Sequence, residues 1–169
     1  DLLELVGVKR HKVPSGEVSN IPLLEKLAST GKPVLLSSGM SSWEEIDTAV
    51  DILKSGGELT VMQCTSEYPC PYEEVGLNVM QEMREKYGTK VGFSDHTLTN
   101  FAVFAAVALG ADVIEVHFTL SRDMYGSDAK HSMEPNAFGE MVEGIRAIET
   151  MLSTKVDKTA DRYRDMKDI

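Results

Sequence analysis

Cysteine is nearly absent from this chain: Cys64 and Cys70 are the two thiols among 169 residues. Two cysteines cannot build the disulfide framework of a small secreted scaffold, and no charged segment followed by an apolar stretch marks an export signal. The expected compartment is therefore a reducing cytoplasm. Long hydrophobic runs are missing as well. The longest candidate, the Ala-rich stretch from Phe101 to Leu109, is well short of the roughly 20 residues of a membrane span. Positive charge is scarce, with 17 Lys and Arg against 27 Asp and Glu for a net charge of -10. Neither nucleic acid nor an anionic membrane is an expected partner, because both demand clustered Lys and Arg. An anionic substrate would need local cations to offset the repulsion, and Lys12 and a bound metal are the natural suppliers. An initiator Met is also lacking: the chain opens at Asp1 inside a helical-looking segment, Asp1 to Val6, and is expected to be a piece of something longer.

What is present is an ordinary folded balance, 42% hydrophobic and 26% charged, enough for one sizeable core. Apolar runs that end in polar residues recur at His11 to Ser15, Pro33 to Ser38, Leu59 to Thr65, Lys90 to His96 and Asp112 to Thr119. Helical stripes lie between them. Asn20 and Pro22 open one that Gly31-Lys32-Pro33 stops. Ser42 and Glu45 make a capping box before Ile46, Ala49, Val50 and Leu53. Val79, Met80, Met83 and Tyr87 form a third stripe, and Asn100 opens a fourth. The fifth runs from Phe138 to Leu152.

Strict alternation of strand and helix predicts right-handed crossovers and a parallel sheet. A doubly wound open sheet would gather its site at one switch point. Here all the strand ends carry polar groups, which favours a TIM (β/α)₈ barrel whose loops ring one mouth. A full barrel takes about 250 residues, so this α/β chain is expected to be an incomplete one. Residues 1–152 would form the partial barrel, and the charged stretch 153–169 a linker or exposed helix.

Val-Gly-Phe-Ser-Asp-His-Thr at 91–97 and Val-Ile-Glu-Val-His-Phe-Thr at 113–119 carry most of the chemistry. Side chains two apart share a strand face, so Ser94 aligns with His96, and Glu115 with His117. On adjacent strands two imidazoles and a carboxylate would converge at one mouth, a set suited to a divalent metal. His11 and His131 have no such company and read as structural or solvated. Lys12, Ser15, Gly16 and Glu17 end the first strand, where a glycine allows close backbone approach and Lys with hydroxyls can hold a phosphate. Ser15, Ser37 and Ser94 could jointly ring a phosphoryl group. Tyr68 lies in a rigid Pro-rich loop and could offer its hydroxyl to a polar ligand, and Asp128 follows the last strand. Cys64 lies within an apolar run and reads more readily as a small buried side chain than as a nucleophile.

In order along the chain, Lys12-Val13-Pro14-Ser15-Gly16-Glu17, Ser37-Ser38-Gly39-Met40, Cys64-Thr65-Ser66-Glu67-Tyr68-Pro69, Ser94-Asp95-His96-Thr97, Glu115-Val116-His117-Phe118-Thr119 and Ser132-Met133-Glu134-Pro135 resemble the sialic acid synthase (N-acetylneuraminate synthase) family, with its pseudaminic and legionaminic acid relatives. The resemblance implies strands four to eight of a TIM barrel. It implies an enzyme that condenses phosphoenolpyruvate with an N-acyl amino sugar of the N-acetylmannosamine type, releasing phosphate. His96 and His117 then match ligands of a divalent metal, Mn²⁺ or Mg²⁺. Lys12, Ser15, Ser37 and Ser94 match phosphoenolpyruvate-binding positions. Glu17, Tyr68 and Asp128 match positions around the sugar, with Ser66 standing where some members have Asn. Glu115 matches a carboxylate beside the metal, and either Glu115 or Glu17 could move the catalytic proton.

The resemblance also implies a homodimer in the full-length protein. A substrate lysine and a glutamate from the first three strands, and a C-terminal antifreeze-like domain, are not in this chain, which alone is expected to be inactive. Two other readings compete: a metal-dependent aldolase on a similar barrel, and a non-catalytic half-barrel that assembles through its edge strands.

Overall fold

Apolar runs bounded by Gly and Pro, buried along almost their whole length in β3 and β4 as parallel strands covered on both faces are, build strands β1 (His11–Val13), β2 (Val34–Ser37), β3 (Leu59–Cys64), β4 (Lys90–Asp95) and β5 (Val113–Val116). The structure, a computed structural model, describes residues 1–158. The strands form one sheet in chain order, each pair parallel. Helices α1 (Leu2–Val6), α2 (Ile21–Ala28), α3 (Trp43–Lys54), α4 (Leu77–Tyr87), α5 (Phe101–Ala108) and α6 (Pro135–Ser153) alternate with them. The helix signals hold in detail. Asn20 caps α2 by accepting from Leu23 N–H, and Ser42 and Glu45 form the reciprocal capping box of α3. Gly88 ends α4 in the left-handed conformation at φ 59°.

One face of the sheet and the helices share the main core. Val13, Val34, Leu36, Val61, Val91 and Phe93 meet Leu24, Ile46, Val50, Met80 and Met83. A second cluster joins Val103, Val107, Met133 and Met141 to Ile114 and Val116. The opposite face carries the other parity of each strand. There, register aligns Cys64 with Ser94, and Ser94 with Glu115, in one row across β3, β4 and β5.

Every strand is shorter than the apolar run that suggested it, and in β1 and β5 the cause is visible. β1 stops at Val13 because Pro14 has no N–H to donate to the ladder, and a 3₁₀ turn spans Ser15–Glu17. β5 stops at Val116 because the next residues bond to a returning segment instead. Met133 N–H donates to His117 C=O, and Thr119 N–H to Met133 C=O. In the charged tail, α6 runs through Ser153 and residues 154–158 carry no helix; the remainder of 153–169 lies outside the described residues. Among the described residues no helix is long and apolar enough to cross a membrane.

Candidate active site

The C-terminal ends of the strands enclose a cleft of about 400 Å³. Lys12, Ser15, Ser37, Ser66, Tyr68, Ser94, His96, Glu115, His117 and Asp128 all line it. Glu17 does not. The 3₁₀ turn carries it away from the wall, and its carboxylate accepts from Asn20 Nδ2–H at 2.6 Å.

The floor is built by β1, β2 and β3. Ser15 Oγ–H donates to Ser37 Oγ at 3.1 Å and accepts from Gly39 N–H at 2.9 Å. Cys64 Sγ lies 3.7 Å from Ser15 Oγ and 4.0 Å from His96 Nδ1. Gly39 is required by close approach: a Cβ there would stand 2.4 Å from Ser66 Oγ and 2.8 Å from both Cys64 Sγ and Ser15 Oγ. Burial would raise the Cys64 thiol, but hydrogen bonds with His96, Ser37 and Ser15 outweigh it and draw its pKa down to about 7. Cys64 thus belongs to the cleft as well as to the strand interior. Strand alternation two residues beyond Met62 is the signal that could have placed it there. Cys70 is different, since burial pushes its thiol up.

Lys12 and Glu115 close the opposite wall. Lys12 Nζ–H donates to Glu115 Oε1 at 2.5 Å, and Ser94 Oγ–H to the same oxygen at 2.9 Å. Of the hydroxyls expected to ring a phosphoryl group, Ser15 and Ser37 are in contact, whereas Ser94 is turned to this carboxylate. Glu115 is accordingly engaged with the cation rather than with the imidazoles.

His96 and His117 come together, their ring centroids 5.1 Å apart. Tyr68 packs over both, at 4.3 and 5.5 Å. His131, read as isolated, lies at the edge of this group, 6.2 Å from Tyr68. His11 is structural, bonding Glu4 Oε1 through Nε2 at 2.8 Å. Burial opposes the charged form of His96, but the Cys64 thiol and the Thr65 carbonyl outweigh it and hold its pKa above the ordinary value. Burial, reinforced by the charge of His96, pushes His117 below its own. Burial also raises the Tyr68 phenol, with Cys64 and Asp128 adding to it.

The donor set fits a divalent cation with open coordination positions. His96 Nδ1 lies 2.8 Å from Thr65 C=O. A carbonyl can only accept, so Nδ1 carries the proton and Nε2 of the neutral ring keeps its lone pair. His117 Nδ1 is buried without a hydrogen-bond partner. Among the described residues no group of three His, Cys, Asp or Glu is placed to hold a metal ion. Water or substrate would have to complete the sphere.

The model of the NeuB family matches residues 1–157. The chain belongs to the NeuB family. It is 42% identical over 164 residues to the N,N'-diacetyllegionaminic acid synthase of Campylobacter jejuni, covering 95% of this chain and 49% of that protein. It is 37% identical over 156 residues to the human N-acetylneuraminate-9-phosphate synthase, covering 91% and 44%. The crystal structure of the N-acetylneuraminic acid synthetase of Leptospira borgpetersenii superposes with a TM-score of 0.87 at 33% identity, covering 98% of this chain and 59% of that one. This NeuB-family chain therefore spans about half the length of these curated relatives. Its five-stranded sheet is an incomplete (β/α)₈ barrel.

Proposed function

We propose that the chain carries the later strands of a synthase that joins phosphoenolpyruvate to an N-acyl amino sugar of the N-acetylmannosamine type. The product is a sialic or related nonulosonic acid, with release of phosphate. One observation carries the reading: Lys12, a pair of strand-end hydroxyls and two imidazoles open onto the same cleft. Membership of the NeuB family and the names of its relatives support it.

In the condensation, C3 of the enol phosphate forms a bond to the sugar's aldehyde carbon, water adds to C2, and the C–O bond to phosphate breaks. The Lys12 ammonium and the Ser15 and Ser37 hydroxyls hold the anionic end through charge-assisted hydrogen bonds. Glu115, when released by Lys12, takes a proton from the incoming water, and a proton returns to the alkoxide left on the former aldehyde carbon, which becomes a hydroxyl. Tyr68, Ser66 and Asp128 orient the sugar, and the Tyr68 ring shields the imidazoles from solvent. His96 and His117 would hold Mn²⁺ or Mg²⁺, which when bound supplies Lewis-acid polarisation of a carbonyl. In this reading the full-length enzyme is a homodimer, and the earlier strands of the barrel add the remaining substrate contacts.

Joining this chain to the first three β/α units of a relative tests the reading. Phosphate release that requires both an N-acyl amino sugar and Mn²⁺ is the expected result. Release without the sugar, or turnover of pyruvate without phosphate, would overturn it.

A further inference from the structure

Asp95 points away from the cleft and is 4% exposed. Its carboxylate nevertheless reaches past His96. Oδ1 accepts from Thr97 N–H at 3.2 Å and Oδ2 from Thr97 Oγ1–H at 3.1 Å. A bond from the side chain of residue 95 to the amide of residue 97 closes a turn with His96 at its centre. The backbone of His96 is pinned again where its carbonyl accepts from Cys70 N–H at 2.9 Å, and its ring is pinned where Nδ1–H donates to Thr65 C=O. The Thr97 hydroxyl lies 3.2 Å from that of Thr99, to which Tyr72 OH donates at 3.3 Å. The segment after β4 is thereby tied to the segment that carries Tyr68. Immediately beyond, Leu98 has a φ of 63°. A branched side chain keeps such a backbone only where its surroundings over-determine it, and such residues cluster at functional sites.

We propose that Asp95 is a positioning residue: by closing its turn on Thr97 it aims the His96 ring so that Nδ1–H stays on Thr65 and Nε2 offers its lone pair to a divalent cation. The inference deepens the reading of His96 as a metal ligand and rests on it. A neutral imidazole carries one proton. If the turn opens and the Thr65 contact is lost, that proton can settle on Nε2 and block the ligating lone pair. A terminator of β4 with no such role would leave the tautomer of His96 untouched.

The test uses the whole 169-residue chain and two readouts besides activity. Nitrogen-15 NMR of the histidine rings, without metal, reports the His96 tautomer; electron paramagnetic resonance of a Mn²⁺ titration reports binding. In the unsubstituted chain His96 is expected as the Nδ1–H form. Asp95→Ala should shift it toward Nε2–H and weaken Mn²⁺ binding by about 10-fold or more, the scale of lost outer-shell partners. Asp95→Asn, whose amide oxygen can still accept from Thr97 N–H, should retain most of both. A well-folded Asp95→Ala with unchanged tautomer overturns the proposal. If Asp95→Ala shifts the tautomer but even the unsubstituted chain binds no Mn²⁺, the aiming role stands and the metal reading falls. Should Asp95→Ala not fold, Thr97→Val carries the same expectation in smaller measure, with Thr97→Ser restoring the Nδ1–H form; no shift in Thr97→Val would count equally against the role.

Discussion

Lys12 Nζ and Glu115 Oε1 meet at 2.5 Å although they stand on the two edge strands of the sheet. In a flat sheet four inter-strand steps of about 4.8 Å would separate those strands by roughly 19 Å. The sheet must therefore curl strongly enough for its first and last strands to share a mouth. With the side chains 36% and 26% exposed, the pair is a partly solvated contact.

Such a pair contributes at most about 1 kcal/mol to stability. Lys12→Ala should thus leave the urea midpoint nearly unchanged, while inorganic phosphate or phosphoenolpyruvate binding, followed by calorimetry, is lost. Glu115→Gln should act oppositely on the ligand, since Lys12 is no longer neutralised, and tighten anion binding. Weaker anion binding in Glu115→Gln would contradict this account of the wall.

Gly39→Ala places a methyl group where Ser66, Cys64 and Ser15 already crowd. Overpacking of this kind costs about 1–3 kcal/mol. The Ser15 and Ser37 hydroxyls should be displaced with it, so anion affinity and unfolding midpoint are expected to fall together.

Ser42→Ala removes the acceptor for Glu45 N–H, at 3.4 Å, in the capping box of α3. The expected loss is about 1 kcal/mol, measurable by denaturant unfolding. Anion binding should stay unchanged, because this cap lies outside the wall of the cleft.

Acid should destabilise the fold through carboxylates far from the cleft. Hydrogen bonds from Lys86 and Tyr87 hold Asp47 below the ordinary carboxylate value, Lys32 with His11 does the same for Glu4, and Lys90 for Glu58. Each folded pKa lies below its unfolded one, so this stabilisation is fully present above the unfolded values, about 4, and disappears as pH falls through the lower, folded values. Through these carboxylates urea midpoints should drop as pH falls below about 4. In Lys86→Met that drop should be smaller, and an identical acid profile would remove Asp47 from the explanation.

Much of the architecture was legible because parity and punctuation are local. Ser42 with Glu45, Asn20, and the alternation that sets Ser94 with His96 and Glu115 with His117 all depend on neighbours within a few residues. What escaped depends on distance through space. The curl that gives Glu115 to Lys12 instead of the imidazoles has no signature in either strand. The turn that withdraws Glu17 follows from Pro14 ending β1, a residue apparent in the sequence whose effect on aim was not. Cys64 reads as a small buried side chain because it lies within an apolar run, and it is buried, although the face it occupies is that of Ser94. His131 reaches Tyr68 only because the chain folds back to place Met133 beside His117.

The shared line of Cys64, Ser94 and Glu115 constrains how this region can change in length. Adding or deleting one residue inside β4 would swap its parity and turn Phe93 or Asp95 inward in place of Ser94. Lineages carrying this scaffold should therefore tolerate insertions in the connecting loops, and none within the paired stretch from Gly92 to Asp95 that keeps three strands in step.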